Sequence, residues 1–561
     1  MLQDGSAPAA APAPPAALSL SEAVAAFQRR LRGPPDTRKQ FGLALCLAAL
    51  CGCINKLQLF PMNSIAGPSA CVETLLATDV AFQPALKALA CGPLGAPAEG
   101  SDDALEYAVA AVAAAQPGCE ERVDFVVDSY VVRSEYLVHF GLVKAIMNFV
   151  TGVLADRYGR RTTMLIGWIA ALPMPLLVLW ADSWAAVSAT NLLLGLQQAI
   201  CWSTSIFIML DYAGKENGGL AVGLNETSGY VALALMNVVA PFLLVENDPR
   251  GGCYYAVFAL LVMGTVASAT ALKDTTHLLT GPAKDSVATP VAQQRSDEVG
   301  DGGGAATITG GCVIELPNGA REQVNVSVFA FVYTSFVKPK LIVINLAGLT
   351  VNFIAAMAWG LLLQWQAHKQ FPPQLDTQGC FLRDSLCFRL KRGAAAGEGS
   401  WEALDTASVA SIALAYDLTK GLGQFGCGFL GDRLGRKPFI VGGLSFCSLS
   451  LVLMSVVGSS ASSAGTVQVW FTVGAFGLGL GTTMMYSNLL AAVADEVDAS
   501  WRASALGTYR FWRDSGYFIG AMLSGAMADA FGIAGTVLVV AVLVAGTTTL
   551  VHLFYPAKPR A

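Results

Sequence analysis

The sequence predicts an all-α membrane protein: twelve transmembrane helices in two pseudo-symmetric six-helix bundles. Three observations carry that prediction. Of the 561 residues, 54% are hydrophobic and only 13% charged, against about a quarter charged in an ordinary soluble chain. Mainly apolar stretches long enough to cross a hydrocarbon core of roughly 30 Å recur twelve times, six on each side of a polar middle segment. The segments LVKAIMNFVTGVLADRYGRR, from Leu142, and LTKGLGQFGCGFLGDRLGRK, from Leu418, are one pattern written twice, so the two halves are related.

In chain order, residues 1–38 read as a disordered cytosolic tail. Its first twenty residues are Ala- and Pro-rich and lack the basic start and apolar run of a secretory signal. Few acidic residues, with Arg29, Arg30 and Arg32 following, leave a cleavable organelle-targeting segment as the other reading. Spans one to six are expected near residues 40–60, 131–152, 162–181, 186–210, 219–244 and 252–272, within an N-terminal bundle over 39–272. Residues 273–338 form a polar cytosolic linker, expected to be flexible around Gly302 to Gly304. Spans seven to twelve are expected near 339–363, 407–430, 437–458, 467–493, 504–528 and 533–555, within a C-terminal bundle over 339–557.

Lys and Arg near span ends favour the cytosolic side. Arg157, Arg160 and Arg161 mark one short loop, Arg433, Arg436 and Lys437 another, and Arg29, Arg30, Arg32, Arg38 and Lys39 precede span one. Both termini are therefore expected in the cytosol, with Arg250 after span five a minor exception. The opposite face receives two loops, 61–130 and 364–406, far longer than the roughly fifteen residues beyond which a loop usually has a function or structure of its own. It also receives Cys71, Cys91, Cys119, Cys253, Cys380 and Cys387, which either pair in an oxidising compartment or stay free in loosely ordered loops. The sequons at Asn225 and Asn325 fall in a span and in the cytosolic linker, where glycosylation is not expected.

Within the repeat, Lys144 aligns with Lys420, Phe149 with Phe425 and Gly152 with Gly428, and a Gly-x-x-x-Asp-Arg-x-Gly-Arg-Arg/Lys ending covers 152–161 and 428–437. The loop is so short that Gly152 and Gly159, with Gly428 and Gly435, are expected to permit close backbone approach. Asp156 ends helix two, as Asp432 ends helix eight. A carboxylate there can pair with Arg157 or another loop arginine, or face the positive N-terminal end of a neighbouring helix. Such a contact exists only while the bundles are close, so it reads as a latch for one of two conformations; a basic loop that only fixes topology is the plainer alternative. A second repeat aligns Asp211 with Asp495 and Trp202-Ser203 with Tyr486-Ser487, and, three residues out of step, Ser228-Gly229-Tyr230 with Ser515-Gly516-Tyr517.

The loop pair, between helices two and three and again between eight and nine, closely resembles the signature of the major facilitator superfamily of secondary transporters. The resemblance covers roughly residues 39–556. It implies two bundles that rock about a central site and open it alternately to either side, with a small molecule as substrate. Function as a monomer is expected.

Ionisable residues inside spans cost several kcal/mol unless they face a partner or a polar cavity, so each is a functional candidate. Lys144 and Lys420 lie eight residues before the motif glycine, about 12 Å from the loop and near mid-membrane. They read as a cation pair that binds an anionic substrate or couples charge; alternatively Asp417, three residues before Lys420, neutralises that lysine along the helix. Span eleven carries Arg510, Arg513 and Asp514, and span five carries Glu226 where the Ser-Gly-Tyr alignment places Arg513. Arg513 and Asp514 are sequence neighbours expected to point apart, which makes Glu226 to Arg513 a candidate bridge between halves, whereas Arg510 suits snorkelling to the cytosolic interface. Glu226, Asp417 or Asp514 could carry a proton, since burial and nearby cations move carboxylate proton affinity in opposite directions. Lys56 is ambiguous between pocket and outer interface; Glu135 and His139 rank lower because Arg133 marks the outer boundary. A weaker pocket inventory comprises Asn55, Gln197, Gln198, Trp202, Asn225, Asn345, Asn352, Trp359, Tyr486, Asn488 and Tyr509.

The stretch Gly421-Leu-Gly-Gln-Phe-Gly426 fits a dinucleotide-binding pattern, but no strand precedes it and helix packing explains it better. With four histidines no metal-ligand cluster is visible, nor is a nucleophile with its base. No enzyme, cofactor, metal or nucleic-acid partner is expected. The expectation is a transporter of a small molecule in the lipid bilayer, with protons a candidate coupling ion and four cations against three carboxylates leaning toward an organic anion. The rivals are a proton-driven exporter of varied organic compounds and a transporter-shaped receptor that moves nothing.

Overall fold

The computed structural model describes residues 35–67, 125–127, 129–213, 218–244, 250–275, 311–315, 321–362, 406–460, 464–497 and 501–556. Helices dominate. The first half contains α1 (Pro35–Leu59) and α2 (Glu135–Tyr158), then α3 (Arg160–Trp180) and α4 (Trp184–Ala213), then α5 (Gly218–Leu243) and α6 (Gly251–Thr270). The second half repeats the arrangement with α7 (Pro339–Trp359), α8 (Thr406–Leu434), α9 (Arg436–Ser460) and α10 (Ala464–Glu496). The run Arg502–Phe554 is two helices, α11 and α12, meeting at Gly532, whose φ of 74° turns the chain back.

The other two positive-φ glycines are Gly159 (83°) and Gly435 (91°), the same position in the two copies of the loop motif. This is the physical reason for the second motif glycine: a backbone turn that a side chain would strain. Pro173 breaks α3 after Ala171 because it supplies no N–H to the helix. A π-turn over Gln198–Trp202 interrupts α4 and re-aims the side chains at its end.

Among the described residues, eight runs are long and apolar enough to cross a membrane, the last containing both α11 and α12. The helices that fall short are α2, α8 and α10, which carry the buried polar side chains of the middle of the molecule, such as Asn148, Gln424 and Asn488. The halves meet mainly along α2 against α11 and α5 against α8. There the backbones are very close: a Cβ on Gly141 would lie 2.6 Å from Tyr517 Cβ, and one on Gly421 would lie 3.0 Å from Val231 N. Gly423 likewise abuts Thr483, so Gly421 and Gly423 are explained by helix packing, whereas a Cβ on Gly426 would meet nothing within 4 Å.

Part of the segment read as the linker between halves is folded, while Gly302 to Gly304, where flexibility is expected, lie outside the described residues. A two-stranded antiparallel hairpin, β3 (Gly311–Glu315) with β4 (Arg321–Asn325), leads into a short helix, Val326–Val332. That helix packs through aromatic rings, Phe329 on Trp501 at 5.4 Å and Phe331 on Phe511 at 5.8 Å. At the other end of the molecule, β1 (Ala66–Gly67) and β2 (Phe125–Val126) pair in parallel and close the base of the long loop. Cys71, Cys91, Cys119, Cys380 and Cys387 lie outside the described residues. Cys253 is buried in α6 as a free thiol, 3.8 Å from Ala240 O; sunk in helix packing, it leaves the set that could pair across the loops.

Candidate functional site

The two repeated lysines stand beside two close backbone approaches between halves. Gly141 lies one turn before Lys144 and Gly421 directly follows Lys420. With no side chain at those glycines, α2 lies on α11 and α5 on α8, and each lysine is held in the seam. Lys420 is 0% exposed, and its Nζ has no hydrogen-bond partner; Lys144 is partly exposed.

Aromatic rings surround both. Lys144 Nζ lies 5.8 Å from the Trp202 ring centre, Trp202 5.5 Å from Tyr230, and Tyr230 4.3 Å from Lys420 Nζ. Onward, Lys420 Nζ is 5.4 Å from Trp359, Trp359 stacks on Tyr517 at 5.5 Å, and Tyr517 is 5.2 Å from Lys144 Nζ. The circuit closes. Three members come from each half, and the tyrosines are the two copies of the Ser-Gly-Tyr repeat. Ring faces are the negative part of the quadrupole and hold an ammonium that has no counter-ion.

The carboxylates are distributed differently from the sequence expectation. Asp417 does not form an ion pair with Lys420; its side chain accepts from Asn237 Nδ2 (3.0 Å) and Trp359 Nε1 (3.1 Å) and pairs with Lys56 at 3.5 Å. A three-residue spacing brings two side chains to one helix face, but the rotamer of Asp417 carries it across the seam to α1 and α5. Lys56 is therefore a residue of the interior, at 3% exposure. Arg513 and Asp514 do not point apart: the guanidinium grips its neighbour bidentately, at 2.6 and 3.0 Å. Asp514 also accepts from Asn352 (2.7 Å) and, across the halves, from Asn148. No Glu226–Arg513 bridge forms. Glu226 Oε1 accepts from Trp202 Nε1 at 3.2 Å, while Oε2 is buried without a partner. Arg510 does not snorkel; it reaches Ser203 Oγ in the other half at 3.4 Å.

Among the described residues in the middle of the molecule, then, Lys144, Lys420 and Arg510 are three cations without an ion pair, opposed by one carboxylate without one, Glu226. On α8, Gln424 is one turn beyond Lys420; its Nε2 is buried without a partner, as is Thr483 Oγ1 on α10. An apolar void between α7, α8, α9 and α10, lined by Leu362, Ile412, Met454 and Leu478, ends against Trp359, Tyr416 and Asp417. The described residues contain no group of His, Cys, Asp and Glu able to hold a metal ion.

The loop motifs act within each half. Arg160 pairs with Asp211 at 3.3 Å and Arg436 with Asp495 at 2.7 Å, which gives the sequence match of the two aspartates its reason. Arg161 donates to Ser268 O and Ala269 O at the end of α6, and Lys437 to His552 O at the end of α12. Arg157 lies over the Tyr158 ring, and Arg433 over Phe429. A Cβ on Gly152 would meet nothing within 4 Å, so no close approach requires that glycine, whereas one on Gly428 would lie 3.3 Å from Ser487 Oγ. The side chains of Asp156 and Asp432 lie outside the described residues.

A carboxylate set on a helix start across the halves does occur, at the end away from the motif loops. Asp529 of α11 accepts from Ser129 Oγ (2.7 Å), Tyr130 N (2.6 Å) and Val131 N (3.2 Å). Tyr136 donates to Trp359 O at 3.3 Å nearby. Together with the Asp417 cluster these contacts tie the two halves to each other toward that end. Sequence reasoning passed over Asp529, Asn237, Asn148 and Gln424, because ordinary polar residues at span ends and mid-span carry no signal until the fold shows their partners. Tyr230 and Tyr517 did carry one, their repeat.

The sequence profile of the Major Facilitator Superfamily matches residues 136–377 and 392–561. No curated protein sequence matches the chain. Among solved structures, the nucleoside transporter NupG is similar with a TM-score of 0.53 at 10% identity, covering 94% of this chain and 100% of its own. A point mutant of NupG has the same score and identity over 91% of this chain and 100% of its own. The profile spans most of the chain, the two motif loops make equivalent contacts in both halves, and the fold is shared; the chain belongs to the Major Facilitator Superfamily of transporters.

Proposed function

We propose that this secondary transporter carries a small organic anion, bound between the halves at Lys144, Lys420 and Arg510. The observation that carries the reading is the imbalance of unpaired interior charge, three cations to one carboxylate. Buried cations without counter-ions are costly, and an anionic substrate supplies the missing charge. Gln424 on α8 and Thr483 on α10 are further buried polar side chains without a partner. Arg513 positions Asp514 rather than meeting substrate.

Glu226 is the carboxylate available to carry a coupling proton, because Asp417 and Asp514 are already engaged by cations and amides. When Glu226 is neutral the cations are unopposed and the anion binds; when it ionises it competes for the same charges and expels the anion. Proton and anion then travel together. The motif-loop end is assigned to the cytosol from its basic residues, with both termini there and the single chain as the working unit. A nucleoside, the cargo named for NupG, would bring a flat base but leave the cations unmatched.

Reconstituted into liposomes, the protein should take up labelled organic anions from a panel, faster with an inward proton gradient. Lys420→Ala should lower the rate by about tenfold or more, the loss expected for one strong charge-assisted contact. Equal transport of neutral and cationic analogues, with Lys420→Ala unchanged, would overturn the reading. Binding without movement under every gradient would make the protein a receptor.

A further inference from the structure

The charge surplus says that the ligand is an anion; the rings around it say more. We propose that the preferred substrate is a flat aromatic or heteroaromatic carboxylate, whose ring is gripped by Trp202, Tyr230, Trp359 and Tyr517 while its carboxylate lies between Lys144 and Lys420. This rests on the anion reading above and names the chemistry of the same site.

The circuit of two lysines and four rings is the physical ground. A small inorganic anion needs donors on every side, yet here it would face the electron-rich faces of four rings, which repel it. Only one edge of the ligand can be charged, and the remainder must be something a π face accepts. A second ring offers its positive edge or an offset stack, the arrangements already made within the circuit: Trp202 meets Tyr230 edge-on at 60°, and Trp359 lies 15° from parallel to Tyr517.

The division between halves supports the same ligand. Trp202 and Tyr230 belong to the first half with Lys144, and Trp359 and Tyr517 to the second with Lys420. Each half therefore keeps one cation and two rings as the bundles rock, and a flat acid can be handed across without losing either kind of contact.

The test compares ligands of equal charge and similar size on the purified full-length chain in nanodiscs. Benzoate should bind about tenfold tighter than cyclohexanecarboxylate, the factor an additional ring–ring contact or two provides, and benzamide should bind far more weakly than benzoate. Tyr230→Leu and Trp359→Leu should bring the benzoate preference close to unity, while Tyr230→Phe, which keeps the ring, and Trp470→Leu on the exposed face of α10 should retain it. Unfolding midpoints without ligand separate a lost site from a lost fold. Equal affinity for benzoate and cyclohexanecarboxylate, both abolished by Lys420→Ala, would overturn the aromatic proposal and leave the anion reading standing. Benzamide binding as tightly as benzoate, or no anion binding at all, would overturn both.

Discussion

At the scale of single residues, Lys420 sets function against stability. A fully buried ammonium with rings but no ion pair costs the folded state free energy that an apolar side chain would not. Lys420→Met is therefore expected to raise the unfolding midpoint in detergent while abolishing anion uptake; a lower midpoint would mean that the cation contributes net stability through its rings. Lys56 and Asp417 behave in the opposite way. Removing one member strands its partner, so Lys56→Met should destabilise by about 3–5 kcal/mol, and Lys56→Met with Asp417→Asn should recover most of that loss. Unfolding curves for the four members of the cycle measure it. The lysines were legible because a charge inside an apolar span has few explanations. The partner of Asp417 was not, since spacing along one helix cannot report a side chain turned toward another.

At the scale of helices, the seams α2–α11 and α5–α8 depend on Gly141 and Gly421. A valine at Gly421 must displace the backbone of Tyr230 and Val231, with a strain of about 1–3 kcal/mol or a wider seam. Gly421→Val is expected to leave the protein folded and membrane-inserted but slow transport by about tenfold, because a wider seam moves Tyr230 off Lys420. Initial uptake rates against the amount of folded protein measure this. Asp529 is the helix-scale counterpart at the far end. Its three hydrogen bonds join the two halves, so Asp529→Ala should shift the population toward opening there by about 1–3 kcal/mol. A cysteine at Tyr136, otherwise buried, should then react faster with a membrane-impermeant thiol reagent in Asp529→Ala than in its absence. The latch expected from the sequence is Asp156, whose side chain lies outside the described residues; Asp529 is a lone carboxylate at a span end, and only the crossing of α11 over residues 129–131 gives it a role.

For the whole molecule, the proposed coupling makes a signed prediction. Glu226 lies within electrostatic reach of Lys144 on α2, Lys420 on α8, Arg510 and Tyr509 on α11, Tyr486 on α10 and Tyr230 on its own helix. Its charge competes with substrate for those cations, so removing that charge should raise anion affinity. Glu226→Gln should bind anion tightly at every pH and exchange internal for external anion, yet fail to accumulate it against a gradient. Counterflow and net uptake in proteoliposomes separate those two activities. Unaltered pH dependence in Glu226→Gln would move coupling to another group.

The sequence by itself determined the spans, their division into two related halves, the loop motif and the two central lysines. Those follow from hydropathy, repetition and the cost of charge in hydrocarbon, which are properties of short stretches of chain. Only the tertiary structure decided which charges are matched: Asp417 with Lys56, Asp514 with Arg513, and Lys144, Lys420 and Arg510 with none. It also decided that rings from both halves join the lysines in one circuit. The physical reason is that pairing and enclosure depend on side chains from helices hundreds of residues apart in sequence, and nothing in either stretch alone encodes the direction from which its partner comes.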